Sequence, residues 1–362
     1  MSSSRMVLAV ALAAVAVVAC KKEGDGHDDE HGPRKLPPSA LSAEKPPAAF
    51  DPTTAKVAVP ETQAKPEKKK ADFGGNEVTV EVCALDTLLP PMADKSWERA
   101  LPSMTVAADG TLYVLDQANK IRHYVNRDPR GCELVLDKKF GDGGLLDAGL
   151  TDGYALAADA SGAIFATSGG IGMKTKKIVA EKVEDHCAGF LRTQPSSKHA
   201  VLSGSKVLTN GCDGTSVSFT KGYDPKAPEW ASPRVVGLYG DEVVVRGMDL
   251  EKGKEVRKIG VHGIDGKQRL KLGKADGPES MWSPDAATTC AGDLCVFDVT
   301  RGGASILRWK NDGKFVQKLR LDVVDISGTS LGAAGDSLWI GGGAAAKGPG
   351  IVGVIIRVSG VK

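Results

Sequence analysis

The side chains of this chain with the clearest chemical potential are its thiols. The seven cysteines are Cys20 and a later set of six: Cys83, Cys132, Cys187, Cys212, Cys290 and Cys295. An even set in an exported chain suggests disulfides, because thiols outside the reducing cytosol oxidise in pairs. One pair is local: within Thr289–Cys295, TCAGDLC, a two-residue Gly292-Asp293 turn would set Cys290 opposite Cys295 across a hairpin. The pairing of the other four stays open.

Imidazoles and carboxylates are less promising. His123, His186, His199 and His262 have no ligand spacing, and they are expected on the surface or rim. Gly24–His31, GDGHDDEH, gathers potential metal ligands on a flexible segment, where no preorganised site exists. Gly141–Gly153 carries Asp142, Asp147 and Asp152 among glycines and reads as a connecting loop, since its spacing is not that of a calcium loop. With no G-x-S-x-G elbow, P-loop or haem motif, no metal or cofactor is expected.

Tryptophan shows a regularity. Trp97, Trp230 and Trp282 each stand a few residues before an apolar strand, in WERALPSM, WASPRVV and WSPDAAT. With Arg99, Arg234, Glu279 and Asp285 nearby they would form a recognition face of aromatic platforms and charges. The competing reading, favoured on burial grounds, wedges each indole between neighbouring sheets.

The N-terminus supplies an address. Arg5, the apolar run Met6–Ala19 and Val17-Val18-Ala19-Cys20 resemble the signal peptide and lipobox of bacterial lipoproteins, with residues 1–19 removed and Cys20 acylated, as by palmitate. Membrane crossing takes ~20 apolar residues, so the run is too short to span. Lys21–Asn76 is rich in Pro, Lys, Glu and Ala and reads as a disordered tether, reaching roughly 40 Å as a random coil. These features predict a lipid-anchored envelope protein, at the outer membrane because no Asp follows Cys20. With Lys+Arg 47 against Asp+Glu 45, no net charge argues for nucleic acid or an acidic partner, and no nucleic acid is expected.

From Glu77 to Lys362 apolar residues alternate and turns centre on Gly and Asp, the pattern of strands. One unit recurs: a short apolar strand, a tight turn and a denser apolar strand. The copies are AADGTLYVLD, DASGAIFATS, LYGDEVVVRG, CAGDLCVFDV and AAGDSLWIGG, with a weaker LSGSKVLTN between the second and third. Their turn glycines, Gly110, Gly162, Gly204, Gly240, Gly292 and Gly335, average about 45 residues apart, the length of a four-stranded propeller blade. The fold expected is all-β, a six-bladed propeller over 77–362. The last unit runs out of chain after Ile351–Val358, and Glu77–Cys83, EVTVEVC, would supply its outermost strand and close the ring.

The first unit resembles an NHL repeat: Asp109-Gly110, the Leu112–Leu115 strand, Asp116, and Asn119-Lys120-Ile121-Arg122 follow that family's pattern over Ser103–Ala158. The resemblance implies a six-bladed propeller of the NHL-like or YVTN-like kind. The function expected is a binding or scaffolding module for proteins or small ligands, with envelope proteins or peptidoglycan-associated factors as partners. The alternative, implied by resemblance to lactonase-like propellers, is a metal-dependent hydrolase with acidic residues at the axis.

Overall fold

The computed structural model describes residues 68–86, 103–128, 130–169, 173–202, 206–210, 212–216, 234–300, 303–321, 326–345 and 351–362. Every regular element among them is a strand. The expected signal peptide, Cys20, the tether up to residue 67, Trp97, Arg99, Trp230 and the Gly204 turn lie outside the described residues.

Strands β1 (Lys68–Asp72), β2 (Glu77–Val82) and β3 (Ala84–Leu85) open the fold. Next come β4 (Ser103–Val106), β5 (Leu112–Leu115), β6 (Lys120–Asn126) and β7 (Glu133–Leu136), one antiparallel meander with β3 added beyond β7. β8 (Leu145–Asp147) also pairs with β6. Thus the expected loop Gly141–Gly153 contains a strand, because Leu145 and Leu146 continue the apolar pattern between its glycines.

β9 (Gly153–Ala158), β10 (Ile164–Ser168), β11 (Lys174–Val179) and β12 (Lys182–Ala188) form the second meander. The third comprises β13 (Leu191–Arg192), β14 (Ala200–Leu202), β15 (Lys206–Asn210) and β16 (Asp213–Ser216). An eight-stranded sheet follows. It is two meanders, β17 (Arg234–Tyr239), β18 (Glu242–Glu251), β19 (Lys254–His262), β20 (Gln268–Leu272) and then β21 (Ser283–Cys290), β22 (Asp293–Thr300), β23 (Gly303–Trp309), β24 (Phe315–Leu321). One parallel bridge, Gly237 to Ala287, joins them through their first strands. A Cβ at position 237 would lie 2.0 Å from the Ala287 carbonyl oxygen, so only glycine permits this approach.

The last sheet runs β1-β2-β27-β26-β25, with β25 (Ile326–Ala334), β26 (Ser337–Ala345) and β27 (Ile351–Ser359). Glu77–Val82 therefore pairs with the C-terminal strand, Val80 opposite Val358. It is not outermost: Lys68–Asp72 adds a further strand from inside the expected tether. Phe73 explains why. Its ring is fully buried with Val78, Val80 and Leu319, and Gln317 Nε2 donates to the Asp72 carbonyl at 2.9 Å. The Lys-rich end of the expected tether, residues 68–76, is thus held by one aromatic anchor and a sheet edge.

Core packing shows why the second strands are apolar at successive positions. In β22, Leu294 and Val296 pack toward β17–β20 with Val244 and Trp309, whereas Cys295 and Phe297 pack toward the last sheet with Leu338 and Ile340. In β26, Trp339 faces the first meander with Met104 and Val114. β10 divides in the same way, Ile164 with Ile121 and Phe165 with Leu191. Since side chains alternate across a strand, burial on both faces needs a neighbour on each side. The sheets accordingly stand face to face in a propeller-like arrangement.

Tight turns carry the strain this requires. Ala180 and Glu181 (φ 47° and 67°), Lys252 and Gly253 (53° and 78°), and Ala291 and Gly292 (48° and 82°) close two-residue hairpins with both φ values positive. Such turns match the strands' right-handed twist.

Candidate functional site

The first strands of the meanders converge on a cavity of about 1280 Å³. β4, β9, β13, β17, β21 and β25 all contribute, through Ser103, Leu156, Arg192, Val236, Ala287 and Leu331 among others. Small residues on these strands leave the space open; Ala155, Ala157, Gly237, Ala286 and Gly332 all line it.

One end is bounded by a seven-residue connection, Thr193–His199, between β13 and β14. Gln194 reaches across to β21, where its Oε1 accepts from the Thr288 hydroxyl at 2.8 Å and its Nε2 donates to Thr289 Oγ1 at 3.3 Å. Thr289 Oγ1 also accepts the Gly240 N–H at 2.7 Å. Three meanders are tied together at this point. The third meander's first hairpin is this long connection; the sequence copy LSGSKVLTN, expected to be that hairpin, instead joins β14 to β15. A two-residue β13 offers no period to read, so the register was missed by one hairpin.

The other end is cationic and aromatic. Arg234, at the start of β17, donates from Nη2 to the Tyr154 hydroxyl at 2.9 Å. Tyr154 meets Phe190 edge to face at 5.4 Å, and the Arg192 guanidinium lies 4.8 Å from the Phe190 centroid. Arg192 Nη1 donates to the Val236 carbonyl at 3.1 Å, while its buried Nε has no acceptor. Burial, reinforced by the like charges of Arg234 and Arg246, lowers the Arg192 pKa to about 10 against the opposing pull of Tyr154 and Asp285. Asp285 is occupied, ion-paired with Arg246, which also donates to the Pro284 carbonyl at 3.1 Å.

The residues expected to form a recognition face separate. Arg234 and Asp285 line the cavity. Glu279 does not: its Oε2 accepts from Trp309 Nε1 at 3.4 Å and it pairs with Lys274. Trp282 is 55% exposed, so it is no wedge between sheets; its backbone N–H donates to Asp298 Oδ1 at 2.8 Å. Among the described residues the buried indoles are Trp309 and Trp339, which lie on β23 and β26. The cavity residues that sequence reasoning missed are Arg192, Gln194, Tyr154 and Phe190, which carry no motif.

Asp116 also lines the cavity, with Arg122 Nε donating to its Oδ2 at 2.8 Å and the N–H groups of Ala118 and Lys120 to its Oδ1. Asp152 is on the wall as well, whereas Asp147 pairs with Lys120. Among the described residues, the one group of three potential metal ligands is His186, Cys187 and Cys212, whose two thiols are joined as a disulfide.

The six later cysteines form three disulfides, Cys83–Cys132, Cys187–Cys212 and Cys290–Cys295. The last pair bonds as expected, but its turn is Ala291-Gly292. Cys290 faces Asp293 and Cys295 faces Thr288, so the bridge is diagonal, with a Cα–Cα distance of 5.8 Å. Of the histidines expected at the surface or rim, one is inside and His123 is partly buried. His262 is fully buried, its Nδ1 3.2 Å from the Gly266 carbonyl, and burial lowers its pKa. His123 stacks on Tyr113 at 4.5 Å and its Nδ1 is 3.3 Å from Asp137.

No protein-family profile matches the chain, and no curated protein does. Solved structures resemble it in fold. A putative glucose dehydrogenase-type oxidoreductase from Thermus thermophilus is 12% identical, over 71% of this chain and 96% of that one, at a TM-score of 0.42. The PQQ-bound aldose sugar dehydrogenase of Streptomyces coelicolor is 12% identical over 82% and 100%, at 0.40. The WD40 domain of Toxoplasma gondii coronin is 12% identical over 82% and 78%, at 0.41. Fold likeness at this level does not assign function.

Proposed function

We propose that the protein is an envelope lipoprotein whose six-bladed propeller is a binding module working through its axial cavity. Acylated Cys20 anchors it, the Pro- and Lys-rich segment that follows acts as a leash, and the body binds a small ligand or a protruding partner group. The observation that carries this reading is the cavity itself, of about 1280 Å³, lined by first strands of every meander and bounded at one end by the Gln194 connection. Pockets of this order suit small ligands. The six-blade count is supported by six core clusters, each lying between successive meanders. The hydrolase alternative gains less support, because Asp116 and Asp285 are engaged by Arg122 and Arg246.

Native mass spectrometry of the chain purified from envelope fractions tests the cavity. A co-purifying mass present in the wild type and absent from Ala155→Trp, with an unchanged melting temperature, supports it. Retention of that mass by the filled cavity refutes it. The anchor is tested by Cys20→Ser, which should move the protein from the membrane to the soluble fraction.

A further inference from the structure

Within the axial cavity, charge is placed unevenly. Arg192 and Arg234 have no carboxylate partner among the described residues, since Asp285 is held by Arg246. The two guanidinium groups stand on one stretch of the wall, linked through ring contacts: Arg234 bonds the Tyr154 hydroxyl, Tyr154 meets Phe190, and Arg192 lies over Phe190. Holding like charges together at a partly dry wall is unfavourable unless an anion joins them. Arg192 also keeps a buried Nε–H without an acceptor, a donor aimed at nothing the protein supplies.

We infer that the cavity takes a carboxylate-bearing small ligand, its anionic group bridging Arg192 and Arg234 and its ring or apolar face lying against Tyr154 and Phe190. This rests on the axial cavity being the binding site. The planar guanidinium fork matches a carboxylate's two oxygens, and aromatic faces next to it accept a flat or ring-shaped body. A single carboxylate fits better than a dianion such as phosphate, because Asp152 lines the same cavity and would repel a second negative charge.

Isothermal titration of the purified full chain with two matched pairs, benzoate against benzamide and D-glucuronate against D-glucose, tests the assignment. In at least one pair the anion should bind ~10-fold or more tightly than its neutral partner, the effect of one charge-assisted contact. Arg192→Gln and Arg234→Gln should each abolish that preference, whereas Arg192→Lys should retain part of it. Arg234 is exposed, so its variant remains informative even where Arg192→Gln fails to fold. Equal binding within both pairs, or a preference that survives Arg234→Gln, overturns the anion assignment and leaves the cavity as a binding site. Binding of none of the four probes overturns the inference, and the Ala155→Trp comparison then decides separately whether the cavity binds at all.

Discussion

Gln194 and Thr288, 94 residues apart, share a buried hydrogen bond of 2.8 Å that ties the third meander to the fifth across the first strand of the fourth. Both residues are largely shielded, Gln194 at 9% exposure and Thr288 at 3%. A net contribution of about 1 kcal/mol is ordinary for such a bond, and stranding a buried partner costs up to about 3 kcal/mol. A urea double-mutant cycle with Gln194→Ala and Thr288→Val should give a coupling of about 1 kcal/mol. Additive effects would mean that the connection merely lies beneath the cavity without bracing it.

Phe73 is a second long-range fastener. Its ring is fully buried between the outer strands of the last sheet and β24, with the Arg308 guanidinium 5.7 Å from its centroid. Phe73→Ala should destabilise the body by about 3–5 kcal/mol through lost burial and the cavity left behind. Deleting Glu77–Val82 should do more, because it exposes the edge of β27. Unchanged melting of either variant would disprove this closure.

Asp298 makes stability depend on pH. Its carboxylate is fully buried at the end of β22; burial raises its pKa, although the N–H groups of Trp282 and Ser283 partly offset the shift by donating to it. The folded chain then holds this proton more tightly than the unfolded chain. Stability from this group therefore rises as pH falls from the folded pKa toward the unfolded one, and is lost again on raising the pH. Asp298→Asn keeps the accepting oxygen without the charge, so this part of the pH dependence should vanish from melting curves taken between pH 3 and pH 7, with little loss of stability at pH 7.

The disulfides should rank by the loops they close. Cys83 and Cys132 are 49 residues apart, against 25 for Cys187 and Cys212 and 5 for Cys290 and Cys295. Chain-entropy reasoning gives about 4 kcal/mol for the longest loop and about 2 kcal/mol for the shortest. Paired Cys→Ala variants, followed by denaturant unfolding, should reproduce that order.

Trp282 should behave as a surface residue. At 55% exposure, Trp282→Ala should shift the melting temperature by no more than about 2 °C, as for other exposed positions. Trp309→Ala, which empties a fully buried site between β17–β20 and β21–β24, should be severely destabilising in the same assay.

What the chain shows without its structure is local. Asp109-Gly110-Thr111 reads as a turn because Asp109 Oδ1 accepts the N–H of Thr111 two residues on, and Leu112–Leu115 reads as a doubly buried strand because its apolar positions are consecutive. Contacts a few residues apart leave such marks, and their recurrence announced the repeat. The Cys290–Cys295 bridge was legible for the same reason, although Ala291-Gly292 rather than Gly292-Asp293 set its register.

Tertiary structure decided everything that depends on which meanders become neighbours. Arg192, Arg234, Tyr154 and Asp285 come from four different meanders, and no spacing in the chain relates them. Phe73 looked like part of a tether until β1 and Leu319 surrounded it. A two-residue strand such as β13 has no period of its own and is held by its partners. Local pattern thus specified the repeating sheet, while the packing of sheets against one another created the cavity and the charges within it.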